Sequence, residues 1–191
     1  MRNAEATRER ILEAAMAEFS AFGIQGARVD RIAENAGINK NMIYIYFKNK
    51  QTLFNTILQK QLTRVYKEID FTPEDLPGFA VRVFDFAVNN PELMRLLAWS
   101  NIEQHAEGLS ERDDAHSMKV ISITEAQNSG LIGKAFPPSF ILTTIMTLAT
   151  SWTIANPFGL AFDSASLNNV QALRDGIAKA VGLIVYAGIE A

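Results

Sequence analysis

The sequence predicts an all-α protein of about nine helices, and three observations carry that expectation. Apolar residues recur at three- and four-residue spacings along most of the chain. Proline, glycine and asparagine punctuate the periodic runs. No stretch keeps the two-residue alternation of a half-buried strand. The 191 residues are 48% hydrophobic and 20% charged, enough for one or two ordinary cores. Cysteine is absent, which removes disulfides, thiolate metal sites and thiol nucleophiles and fits a reducing cytoplasm.

The elements follow in order. Ala4–Phe22 carries Ile11, Ala15, Phe19 and Phe22 on one stripe and is expected to stop at Gly23. Its recurring charges exclude a secretory signal. Val29–Ala36 is a short second helix ended by Gly37, and Asn39 caps a third over Lys40–Phe47. Lys50–Glu68 forms the fourth. The segment DFTPEDLPGF then marks the one break rich in proline and glycine near a switch in charge. Before residue 68 the chain has 11 Lys and Arg against 6 Asp and Glu; from there on it has 7 against 15. A basic start on an acidic remainder suggests that a polyanion meets the start. Thr72-Pro73 and Asn90-Pro91 each open a helix, running to Asn89 and to about Gln104. Ser110 opens another that ends at Gly130. The last two helices are predicted over Pro138–Ala155 and Ser166–Ile189.

Those last helices are unusually apolar, with no charged residue between Lys134 and Asp163. A membrane span is excluded, because seven of the residues 139–156 are Ser or Thr and prolines flank the segment. Two apolar stripes on one helix need cover on several sides. The economical solution is a two-fold four-helix bundle spanning about 138–189, with Ile141, Ile145, Leu173, Ile177, Val181 and Ile184 at a homodimer interface.

The stretch VDRIAENAGINKNMIYIYFK places Ile32, Ile38 and Ile43 as a small core between two helices, with Ala33 at their crossing and Gly37 in the turn. This is the spacing of a helix-turn-helix, whose second helix enters the DNA major groove. At ~100° per residue, Ile43 and Phe47 share the inward face while Asn41 and Ile45 point outward. An outward isoleucine there faces base edges. A protein-only helical adaptor and, more distantly, a small all-α enzyme are the competing classes.

The first helix, FGIQGARV, IAENAGINKNMIYIYFKNKQTLF and the acidic helical remainder together resemble the TetR family of bacterial transcriptional regulators. The motif resemblance covers residues 7–54; beyond residue 68 it is one of architecture. It implies a dimeric regulator with a DNA-binding domain over residues 1–50. Residues 51–191 would bind a small apolar or amphipathic effector and dimerise, Lys50–Glu68 being the connecting helix. The effector would release a repressor from a pseudo-palindromic operator on double-stranded DNA. Carried over by position, Lys40, Asn41, Met42, Tyr44 and Ile45 form the recognition surface, beside Arg28 and Asn39, while Tyr46 and Lys50 match phosphate contacts. Asn41 and Ile45 depart from the residues usual in the family, and Ala27-Arg28 replaces its threonine-rich start to the second helix.

Glu103, His105, Asp113, Asp114 and His116 lack metal-site spacing, and no phosphate loop or nucleophile elbow points to catalysis. No cofactor or metal is expected. Among many aromatics of the second domain, Phe84, Trp99 and Trp152, with Glu103 one turn after Trp99, are the expected effector contacts.

Overall fold

The computed structural model describes residues 2–103 and 110–189. Among the described residues there are ten helices, nine of seven residues or longer, and no strand, so the all-α expectation holds. The chain forms two compact units, Met1–Val65 with Glu92–Leu109 and Tyr66–Pro91 with Ser110–Ala191. The functional boundary expected at residue 50 lies within the first of these units.

The first unit comprises α1 (Arg2–Gly26), α2 (Val29–Asn35), α3 (Lys40–Phe47), most of α4 (Lys50–Glu68) and α6 (Pro91–Ile102). Ile11, Ala15 and Phe19 of α1, Ile32 of α2, Ile43 of α3 and Leu53 and Phe54 of α4 are all fully buried. The Phe19 and Phe54 rings meet edge to face at 5.3 Å. That shared core is why α4 belongs with the helix-turn-helix through Val65. The first helix breaks at Gly23, as expected. Gly23 takes φ 66 and ψ −178, a kink, and one more turn follows to Gly26.

The second unit holds a 3-10 turn at Pro73–Asp75, α5 (Leu76–Asn89), α7 (Ser110–Asn128), α8 (Pro138–Ala149), the single turn α9 (Gly159–Phe162), a second 3-10 turn at Ser166–Asn169 and α10 (Val170–Val185). Against expectation, α8 ends at Ala149 rather than Ala155. There the Thr150 and Ser151 hydroxyls bond the carbonyls of Met146 and Thr147, both at 2.8 Å, and the chain breaks into turns. It folds back so tightly that a Cβ on Gly159 would lie 2.1 Å from the Ser151 carbonyl oxygen. The last helix starts at Val170, where the Asn169 side chain accepts from the Ala172 amide at 3.2 Å. It ends at Val185, whose carbonyl accepts from Gly133 N–H at 2.8 Å.

The expected dimer stripe needs correcting. Ile141, Ile145, Ile177 and Val181 are at most 1% exposed inside their own protomer, where α10 packs on α5 and α8. Leu173 and Ile184 are half-buried. The apolar side chains left outward here are Phe140 on α8, Leu183 on α10 and Tyr186 just beyond it, at 49, 69 and 44% exposure. No described helix is long and apolar enough to cross a membrane.

Candidate nucleic-acid interface

The entry to α2 carries no side-chain cap of its own, since Arg28 is extended and makes no capping bond. Buried Glu18 of α1 replaces it. One carboxylate oxygen accepts from the Arg28 amide at 2.7 Å and from Arg31 Nη2 at 2.6 Å, and Arg31 Nε bonds both oxygens. Burial alone would raise the Glu18 pKa. The Arg31 and Arg28 hydrogen bonds and the two guanidinium charges outweigh it, leaving the carboxyl below its ordinary value. A depressed folded-state pKa stabilises the fold fully above the unfolded value, and that contribution disappears as pH falls through the folded one. Acid titration of wild type against Glu18→Gln therefore has a stated outcome: the stability gap between them is constant near neutrality and closes as pH falls below 4.5. A gap independent of pH would remove the ion pair from the account.

Between α2 and α3 the chain turns at Gly37, φ 63, where the Gly37 and Ile38 amides bond the Glu34 and Ala33 carbonyls at 3.0 Å. Asn39 then caps α3, its side chain accepting from the Asn41 amide at 2.9 Å. Ile43 and Phe47 turn inward, 0 and 3% exposed, and the Arg8 guanidinium lies 5.4 Å from the Phe47 ring centroid.

That inward pair fixes the outward one. Ile45 is 72% exposed, Asn41 and Tyr44 are also exposed, and Met42 and Tyr46 are half-buried at the edges of the face. Lys40 reaches back to Asp30 of α2 at 2.9 Å, an exposed ion pair of little intrinsic strength. Lys50 donates to the Ala27 carbonyl at 3.1 Å, and Arg28 is exposed. The structure thus brings Asn41, Tyr44 and Ile45 onto one surface, while Asn39, Lys40 and Lys50 already make bonds within the unit. Sequence reading missed Lys48, an exposed cation at φ 62 that turns the chain between α3 and α4. It also missed Glu18, although that acid lies seven residues after Ile11 on an otherwise apolar stripe. Asn49 caps α4 by accepting from Thr52 N–H at 2.8 Å, so Lys48 and Lys50 flank a helix N-terminus suited to an anion.

Trp99 and Glu103 of the effector expectation serve the first unit. The Trp99 indole donates to the Ser20 carbonyl at 3.3 Å, and the Glu103 carboxylate accepts the Ile24 and Gln25 amides at 3.0 and 3.3 Å. Together they grip α1 on both sides of Gly23, and Glu103 caps the turn that resumes after the kink. Phe84 and Trp152 meet edge to face at 6.2 Å within the second unit, where Phe84 is fully buried. His105 lies outside the described residues. His116 meets the Tyr66 ring edge-on at 6.5 Å, and no group of three or more His, Asp or Glu among the described residues is placed to hold a metal.

Residues 11–57 match the model described as bacterial regulatory proteins, tetR family, and residues 75–182 match the tetracyclin repressor-like C-terminal domain. The Streptomyces coelicolor HTH-type transcriptional repressor SCO4008 is 36% identical over 188 residues, covering 96% of this chain and 97% of that one. The crystal structure of the transcriptional regulator SCO4942 from the same organism superposes with a TM-score of 0.81 at 31% identity, over 94% of this chain and 98% of its own. FadR from Bacillus subtilis, solved with stearoyl-CoA, shares the fold at 17% identity, with a TM-score of 0.66 over 95% of this chain and 99% of that one. The chain belongs to the TetR family of bacterial DNA-binding transcriptional regulators, with a second domain of the tetracyclin repressor-like type.

Proposed function

We propose that the protein acts in the cytoplasm as a homodimer on a pseudo-palindromic operator and that a small apolar or amphipathic molecule releases it. DNA contact falls within residues 1–50, with effector binding and dimerisation in 51–191 and half-buried Trp152, backed by the buried Phe84 ring, on the apolar wall of the effector site. The observation that carries the DNA reading is the outward face of α3, where a 72% exposed isoleucine sits one turn from Asn41. An asparagine bonds adenine N6 and N7, and an aliphatic side chain suits a thymine methyl group, so each half-site carries A·T pairs at this position. Lys40, Met42 and Tyr44 complete the recognition surface. Arg28, Asn39, Tyr46 and Lys50 meet phosphates, the last by exchanging the Ala27 carbonyl for a phosphate oxygen.

Enrichment of bound duplexes from a random pool tests the reading and supplies the operator. On that operator Ile45→Ala is expected to weaken binding by about 1–3 kcal/mol and relax the preference for thymine. Its melting temperature stays within about 2 °C, because an exposed side chain leaves no cavity. A several-degree drop with an unchanged preferred sequence would make Ile45 structural. Lys50→Ala should weaken all sequences alike and flatten the salt dependence by about one counterion.

Dimerisation is assigned to the face of α8 and α10 that the protomer leaves uncovered. Ala172, Gly176, Lys179, Leu183 and Tyr186 recur at helical spacing on that side, beside Phe140. Ile154, Phe158 and Phe162, at 62, 60 and 85% exposure, extend the uncovered apolar surface through the segment joining the two helices. A second copy supplies the same surface and closes the bundle by two-fold symmetry.

A further inference from the structure

Lys119 of α7 is a half-buried cation held by rings rather than by acids. Its ammonium lies 5.0 Å from the Tyr66 ring centroid and 5.7 Å from that of Phe71. Phe71 is in turn braced edge-on by buried Phe79 at 5.0 Å, and Tyr66 by His116. All these residues lie in the second unit. Two half-buried arginines of that unit, Arg82 and Arg174, are treated differently. Arg82 pairs with Asp75 at 3.1 Å and Arg174 with Asp85 at 2.7 Å. Lys119 has no carboxylate within ion-pair reach among the described residues. Its surroundings penalise the charge accordingly, and desolvation pulls its pKa below the usual lysine value.

A partly desolvated cation with aromatic neighbours and no counter-ion is an incomplete site. Ring faces attract a cation but do not neutralise it. An incoming carboxylate would do so and would also take up the ammonium's free N–H donors. Tyr66, Phe71 and His116 are half-buried like Lys119, so the group stands at the edge of the core with solvent access. The geometry points to Lys119 as the anchor for the anionic group of an amphipathic effector, with the Tyr66 and Phe71 rings against the start of its apolar body. This deepens the effector reading above by naming the ligand as an apolar carboxylate, and it rests on that reading.

Calorimetric titration of the full chain with decanoate and with decan-1-ol separates charge from chain, since the two share one apolar body. Wild type is expected to bind decanoate about tenfold or more tightly over the alcohol. Lys119→Met, which keeps the length and removes the charge, should erase the preference. Lys119→Arg should keep it, and serves as the folded comparison if the methionine variant is impaired. Undetectable decanoate binding at millimolar concentration, equal binding of the two compounds, or a preference that survives Lys119→Met would each overturn the assignment. Operator binding measured in the same titrations tests the effector reading separately. Charge preference lost with Lys119 supports the anchor whether or not DNA affinity moves. Release by decanoate that is indifferent to Lys119 upholds an effector site and removes Lys119 from it.

Discussion

Gly23→Ala is expected to destabilise the protein by about 3 kcal/mol and to lower its melting temperature by about 10 °C. Two independent costs meet at this one methyl group. The backbone there, φ 66 and ψ −178, lies in a region that side chains scarcely enter, at about 1–3 kcal/mol. The added Cβ would also stand 2.6 Å from a Glu103 carboxylate oxygen and 2.9 Å from the Trp99 ring. Neither neighbour yields freely, because Glu103 is held by the Ile24 and Gln25 amides and Trp99 by the Ser20 carbonyl. Moving Glu103 would strip the acceptor from the Ile24 amide, and Ile24 is only 3% exposed. Glu103→Gln, which keeps an acceptor of the same shape, should cost only about 1 kcal/mol. A Gly23→Ala protein that melts with wild type would mean that the kink is not required.

Leu183→Asp and Ile177→Asp should part company although both lie on α10. Leu183 is 69% exposed in the protomer and Ile177 only 1%. An aspartate at 183 leaves each protomer folded but sets two like charges at a two-fold contact, so dissociation should weaken the dimer at least about 100-fold, or nearly 3 kcal/mol. Sedimentation then finds folded monomer at micromolar protein, with operator affinity lost because one half-site alone is weak. An aspartate at 177 enters the protomer's own core without a partner charge and unfolds the second unit instead. Dimers that survive Leu183→Asp intact would place the interface on another face.

Local chemistry was legible in the sequence. Gly37, the Asn39 cap and the spacing of Ile32, Ile38 and Ile43 all act within twenty residues, and the α2–α3 pair lies where they put it. The outward turn of Asn41 and Ile45 followed from helical phase alone. What the sequence hid depends on distance or on a second surface. Gly23 marked the break in the first helix, but the carboxylate that holds the kink lies 79 positions from Ile24 and was not visible. Ile141 and Ile177 were sent to a partner because a helical wheel separates apolar stripes without saying which is covered by the chain itself. The early end of α8 came from hydroxyls competing for carbonyls inside a run whose apolar period continues past it.

The grip of Trp99 and Glu103 on the Gly23 kink bears on how such regulators can be recombined. Residues 1–65 look like a transferable reading module, since every side chain assigned to DNA lies within them. The module is nevertheless finished by a stretch that arrives after an excursion of 26 residues into the second unit. A hybrid joining residues 1–65 to another relative's remainder would set this kink against a foreign sixth helix. The first unit of this chain is therefore completed by two residues that lie outside the stretch assigned to DNA. A working graft would have to carry Trp99 and Glu103 along with the recognition helix.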